Sequence, residues 1–308
     1  MNKAPNAFVI CAKPARFADL IPGAASLGDT VCAVFVGSAA EAGDVFAQGA
    51  GRLCLLPAKS GYIFEDYAPS IAAAIKAAGK SVVLLPNDRR GKAMAAKLGA
   101  LLKAAVVNDV MGVEEDGSLA HMVYGGLAVG RRQSLSDVTI MTVGGGVFEP
   151  AAAAGGQGET VELGFVEPAA RITLVEVKPK ACSRVDIAKA RRIVSVGRGF
   201  ARQEDLAMAK SLAAAIDAEL ACSRPIAEGE LWMERERYVG VSGAMVKADV
   251  YLAVGISGQI QHMVGARDCK TIVAVNKDKN AAIFKFADYG IVGDLYKVLP
   301  ALTKALKN

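Results

Sequence analysis

Leu252-Ala253-Val254-Gly255-Ile256-Ser257-Gly258-Gln259-Ile260-Gln261-His262 passes from an apolar run to a loop of small residues and then into the start of a helix. A strand that ends on glycine and serine before a helix is the unit from which parallel α/β sheets are built. The texture recurs around it. Ile193-Val194-Ser195-Val196 runs into Gly197-Arg198-Gly199 and a helix over 204–216, Thr271 to Val275 and Tyr289 to Val292 read as further strands, and Asp294 to Leu306 as a closing helix. Four loops stand out: 197–199, Cys222-Ser223-Arg224-Pro225, Val239-Gly240-Val241-Ser242-Gly243 and 255–262. Each alone permits a tight turn and nothing more. Together they put small residues where the carboxyl ends of parallel strands open onto a ligand crevice. The helix starting near Gly258 would add free N–H groups and a positive dipole end suited to phosphate.

The first half carries the same rhythm. Phe8-Val9-Ile10, Val31 to Val36, Leu53 to Leu56 and Val82 to Leu85 are strand-like, while Tyr67 to Ala78 and Gly91 to Leu102 repeat apolar residues at helical spacing. From Asn108 to Val143 the pattern turns to strands joined by turns, with Met122 to Gly126 and Thr139 to Val143 as candidates, and Gly144 to Gly158 is a Gly- and Ala-rich loop. Val161 to Lys178 reads as extended and Pro179 to Ala190 as polar, which puts a domain boundary near Asp186. The expectation is an α/β protein of two domains, 1–186 and 187–308, each a mostly parallel sheet flanked by helices.

Composition excludes several classes. At 308 residues and 53% hydrophobic the chain can fill two cores. No uninterrupted apolar stretch approaches the roughly 18 residues of a membrane span. The apolar run from Ala7 to Ala12 is too short for a signal peptide and reads as a buried first strand, so a cytoplasmic location is expected. The six cysteines are scattered without a C-x-x-C pair, and only His121 and His262 could join them, so reduced thiols and no metal site are expected. The net charge of +5 is dispersed rather than gathered into a basic stripe, which argues against a nucleic-acid partner.

No G-x-G-x-x-G fingerprint follows the first strand of either half and no P-loop occurs, so neither a standard Rossmann dehydrogenase nor a P-loop enzyme is supported. Residues 252–262, followed by Ile272-Val273-Ala274-Val275-Asn276-Lys277-Asp278 and Ala287-Asp288-Tyr289-Gly290-Ile291-Val292-Gly293-Asp294-Leu295, resemble the FAD domain of electron-transfer flavoprotein alpha subunits. The resemblance is strong over about 120 residues from Arg192 onward. Cys222 to Tyr238 is similar to a bacterial branch associated with anaerobic acyl-CoA metabolism.

The resemblance implies an FAD-containing electron carrier without a catalytic acid or base. It would work as a heterodimer with a beta subunit and exchange electrons with acyl-CoA dehydrogenase-type flavoenzymes. It also implies that Arg198 and Arg224 lie against FAD, the latter beside the isoalloxazine, where a permanent charge favours anionic reduced flavin. Ser242 falls at a flavin N5 donor position, and Gln261 and His262 at the pyrimidine edge. Ser257, Asn276, Asp294 and Leu295 match positions around the pyrophosphate, ribose and adenine. Ser223, Val239, Gly240, Val241, Gly243, Gly258 and Gln259 complete the implied cofactor site. The chain departs from the family at Val241, where Gln is common, and at Ala244, where Lys is common. Read from the residues alone, Glu234 to Arg237 is a solvated helix face, a lone His at a helix start is a capping or core residue, and a nucleotide-handling α/β enzyme or an interaction scaffold also fits the alternating pattern.

Overall fold

The computed structural model describes residues 3–149, 158–176 and 186–306. Of the expected loop Gly144 to Gly158, residues 150–157 lie outside the described residues, as do residues 179–185 of the polar segment Pro179 to Ala190. The described residues form two compact units. One holds 3–123, 129–149 and 158–176, and the other 124–128 and 186–306.

The first unit is a nine-stranded sheet. Its strands are β1 (Ala4–Ile10), β2 (Gly28–Gly37), β3 (Arg52–Pro57), β4 (Ser81–Pro86), β5 (Ala105–Val113), β6 (Leu119–Val123), β7 (Ala128–Arg132), β8 (Val138–Val143) and β9 (Glu159–Glu162), in the spatial order β7-β6-β5-β8-β4-β1-β2-β3-β9. The central pairings are parallel, whereas β5 and β6 run antiparallel. Helices α1 (Phe17–Leu27), α2 (Ala42–Ala47), α3 (Ala68–Ala78) and α4 (Arg89–Leu102) cover it. Every residue of β4, Ser-Val-Val-Leu-Leu-Pro, is buried, the continuous apolar run expected of a parallel strand covered on both faces. Alternation along β1 sorts the two cores: Ala7 and Val9 join Phe17, Leu20 and Val45 on one face, while Phe8 and Ile10 join Tyr67, Ile71 and Met94 on the other.

The second unit has five strands, β10 (Arg192–Val196), β11 (Glu219–Cys222), β12 (Val250–Val254), β13 (Ile272–Asn276) and β14 (Tyr289–Val292), in the order β11-β10-β12-β13-β14 with every pairing parallel. Helices α5 (Leu206–Ala215) and α7 (Leu295–Leu306) share a core with Leu252 and Val254 of β12. On the opposite face, α6 (Ile260–Ala266) packs through Met263 and Ala266 against Tyr251 and Ala253.

The structure amends details of the sequence reading. The run Met122 to Gly126 is not all strand: β6 stops at Val123, and Tyr124, Gly125 and Gly126 turn the chain with φ of 51°, 64° and 96°. Helix α1 has no counterpart in the sequence reading, because Pro22 and Gly23 blur its helical period. Beyond β9, residues 163–176 form neither helix nor strand. Cys11, Cys32, Cys54, Cys222 and Cys269 are free and buried, and no cluster of metal-ligating side chains occurs among the described residues.

Tight packing where a strand meets a helix gives a stability test. The Gly91 N–H donates to Asp88 Oδ1 at 2.8 Å, capping α4, and a Cβ on Gly91 would stand 1.9 Å from the Pro86 carbonyl oxygen. That neighbour is backbone and cannot swing away. Gly91→Ala should therefore cost about 2 kcal/mol or more. The loss would appear as a lower denaturation midpoint with an unchanged slope, and a midpoint like the wild type's would contradict the tight approach.

Candidate functional site

The strand order of the second unit determines where a ligand can sit. From β10 the chain moves to β11 on one side, then returns to β12 on the other and continues outward through β13 and β14. Loops leaving the carboxyl ends of β10 and β12 therefore diverge, and such a reversal opens a crevice. A crevice of about 1180 Å³ lies there, larger than the roughly 300–1,000 Å³ of an ordinary small-molecule pocket. Its wall combines the loops after β10, β11, β12 and β13 with the short segment at Tyr124, Gly125 and Leu127. That segment belongs to the second unit although it lies N-terminal of the boundary expected near Asp186.

Two backbones meet at the floor. The Gly199 N–H donates to the Gly255 carbonyl at 3.0 Å, and a Cβ on Gly199 would come within 2.6 Å of the Gly255 Cα. Gly255 itself has φ +63° and Gly258 φ +80°, and a Cβ at Gly258 would stand 2.1 Å from the Ile283 nitrogen. These glycines are required by the backbone before any ligand is considered. The helix that follows, α6, begins at Ile260, two residues after Gly258, and has seven residues.

The expected cofactor residues divide into two groups. Arg198, Ser223, Arg224, Val241, Ser242, Ser257, Gly258, Gln259, Gln261, His262 and Asn276 all line the crevice. Ser257, Gln259 and Gln261 are exposed to it. Asn276 is spent on the scaffold: its Nδ2 donates to the Ile256 carbonyl at 2.9 Å and its Oδ1 accepts from the Asp278 N–H at 3.0 Å. Ser242 Oγ lies 3.1 Å from the Tyr238 hydroxyl, and the Val241 N–H donates to the Gln261 carbonyl at 2.7 Å, tying its loop to α6.

Val239, Gly240, Gly243, Asp294 and Leu295 do not form part of the wall. Val239 is fully buried in the core under α6. Gly240 and Gly243 close their own turn, the Gly243 N–H donating to the Gly240 carbonyl at 2.9 Å. Asp294 accepts from the Tyr296 N–H at the start of α7, and Leu295 packs beneath Gly199 and Gly255. The sequence reading missed Tyr124, Leu127, Tyr238, Lys285 and Phe286 on the wall.

Arg198, Arg224 and Lys285 face a single carboxylate, Asp278, among the charged groups of the wall. A net cationic crevice of this size, with exposed amide and hydroxyl donors, fits the pyrophosphate and ring system of FAD. Arg224 is not alone. Its Nε lies 2.7 Å from Glu228 Oε2, and Arg235 Nε lies 3.1 Å from Glu228 Oε1. The run 234–237 is less solvated than expected, because Arg237 turns inward and donates to the Leu220 carbonyl at 2.7 Å.

His262 is buried. Its Nε2 lies 2.8 Å from the Tyr251 hydroxyl, and its Nδ1 is buried without a hydrogen bond. Burial pushes its pKa down to about 4, the Val239 backbone opposing. Tyr251 is pushed well above the usual phenol range, first by burial. Both side chains therefore stay neutral at physiological pH.

Residues 186–267 match the family profile described as the electron transfer flavoprotein FAD-binding domain, and residues 18–168 that of the electron transfer flavoprotein domain. The chain is 48% identical over 312 residues to Protein FixB of Escherichia coli O157:H7, covering 99% of each chain. It is equally similar, over 314 residues and 99% of each chain, to Protein FixB of Salmonella typhimurium (strain LT2).

The buried histidine generates a pH test. With a folded pKa of about 4 against 6.5 when exposed, the unfolded chain binds the extra proton between those values. Stability is therefore complete above about pH 6.5 and is lost as pH falls toward 4. Between pH 7 and pH 5 wild type should lose about 2 kcal/mol more unfolding free energy than His262→Gln. Equal losses in parallel denaturant titrations would show that the imidazole is not held neutral.

Proposed function

This chain belongs to the electron-transfer flavoprotein alpha family, which makes it an FAD-binding electron carrier rather than an enzyme, and from that premise we propose how it holds the cofactor and with whom it works. FAD occupies the crevice at the carboxyl ends of β10 and β12. The observation that carries this reading is the convergence of eleven expected cofactor residues on one cationic crevice at the strand-order reversal. The partner is a beta subunit in a heterodimer, and electrons pass between acyl-CoA dehydrogenase-type flavoenzymes and other redox proteins in the cytoplasm. FAD binding is the work of the C-terminal domain after Asp186 together with residues 124–127, while the remainder of 1–186 serves partner contacts.

Bound FAD supplies the electron-accepting ring, and the chain supplies position and field. Backbone at the glycine floor lets the dinucleotide approach closely. Ser257, Gln259 and Gln261 offer donors along the crevice, and Ser242 with Tyr238 closes one side. Arg224 contributes a fixed positive charge that favours negative charge on the ring. Glu228, in contact with that guanidinium and with Arg235, offsets part of the field.

The reading is tested by counting flavins on the purified, partner-bound protein, where one FAD in this crevice should be lost on Gly255→Val. Reductive titration tests the field. Arg224→Ala should lower the flavin potential, Arg224→Lys should lower it less, and Glu228→Gln should raise it. Weaker FAD retention at unchanged potential in Arg224→Ala would mean that the arginine only pins its loop, and the tuning role would be withdrawn.

A further inference from the structure

Two hydrogen-bonded side chains, Tyr251 and His262, run from the sheet to the crevice, with a buried serine near them. Ser195 is fully buried on β10, and its Oγ has no hydrogen bond of regular geometry. Tyr251 is fully buried on the neighbouring strand β12, and Ser195 influences its hydroxyl. That hydroxyl lies 2.8 Å from His262 Nε2. His262, on α6, forms part of the crevice wall. With Nε2 turned to Tyr251, the ring nitrogen left over is Nδ1, which has no partner. The Val239 backbone also favours a proton on this ring, yet no hydrogen bond of regular geometry joins them.

Counting protons decides which way the row is polarised. Each hydroxyl has one hydrogen to donate, and a neutral imidazole has one N–H and one bare nitrogen. Suppose Nε2 carries the proton and donates to the Tyr251 oxygen. The fully buried Tyr251 hydrogen then has no acceptor, since the Ser195 Oγ beside it makes no hydrogen bond. Suppose instead that Tyr251 donates to Nε2. The Tyr251 hydrogen is then used, and the donor left over is Nδ1–H, on a ring that forms part of the crevice wall. Buried hydrogens without acceptors are costly, which favours the second arrangement.

We propose that Tyr251 is a positioning residue: its hydroxyl donates to His262 Nε2 and fixes the imidazole as the Nδ1–H tautomer, an oriented uncharged donor to an acceptor atom of the flavin ring. The last clause rests on the FAD reading given above, whereas the tautomer itself does not. A fixed neutral donor strengthens as negative charge gathers on its acceptor, and unlike an imidazolium it brings no counter-ion demand into the crevice. The role sets Tyr251 apart from an aromatic that only fills the core, since Phe would fill the same volume.

The test uses the partner-bound, flavin-loaded protein with this chain's histidines labelled with ¹⁵N. Only His121 and His262 are present, so His121→Gln assigns the ring signals. Proton–nitrogen correlations at neutral pH should show His262 with its proton on Nδ1 and a bare Nε2, and a proton on Nε2 overturns the proposal. Tyr251→Phe should replace the single tautomer by a mixture and weaken FAD binding about fivefold. A single Nδ1–H tautomer surviving in Tyr251→Phe likewise overturns it. Should that variant not fold, the wild-type spectrum decides, with Ser195→Ala as a second variant expected to keep the Nδ1–H tautomer because Tyr251 still donates. If the tautomer is as stated but no FAD is retained, the cofactor reading fails and the positioning role of Tyr251 stands.

Discussion

A parallel sheet buried on both faces has no open surface of its own, so a ligand must gather at its carboxyl edge, and only where neighbouring connections part. In the second unit that place lies between β10 and β12. The two loops that part there first have to touch, backbone to backbone, at Gly199 and Gly255. That contact sets the depth of the crevice. Leu295 under the two glycines, the Asn276 amide bracing the 255–259 loop from β13 and the Val241 tie to α6 all serve to hold it. A side chain at either glycine would push the loops apart before it obstructed any ligand.

The distribution of charge follows from the same geometry. Charged groups sit at the exposed rim, where Arg198, Arg224 and Lys285 keep contact with water, so their fields are screened and individually modest. Arg224 is further compensated by Glu228, which also engages Arg235. Deeper in, the polar groups are neutral: Ser195, Tyr251 and His262 are all buried and uncharged. A buried ion there would need a partner that the apolar core under α6 does not offer. Coarse electrostatic attraction for a phosphate-bearing ligand and fine orientation of its ring are therefore handled by different residues at different depths.

Much of the second unit was legible because parallel strands buried on both faces are continuous apolar runs, and Ile193 to Val196, Tyr251 to Val254 and Ile272 to Val275 announce themselves. The loops were legible for the same reason, being what remains between such runs. What local pattern cannot show is which way a loop residue faces. Val239 and Ser242 share one short loop, yet Val239 enters the core while Ser242 meets the crevice. Asp294 and Leu295 sit in a loop-to-helix step that supports the site from below and does not form its wall. Tyr124 and Leu127 were out of reach altogether, since more than seventy residues separate them from the nearest of the loops they join and no short-range periodicity encodes such a meeting.

His262 shows how a residue can satisfy two readings at once. As a lone histidine near a helix start it reads as a core residue, and it is one: buried, neutral and bonded to a fully buried tyrosine. Beside Gln261 it reads as a ligand-facing donor, and it forms part of the crevice wall as well. The two are compatible because imidazole has two nitrogens with separate partners. Anchoring one of them in the core is what gives the other a defined direction, so burial, usually evidence against a binding role, here is the means by which one could be performed.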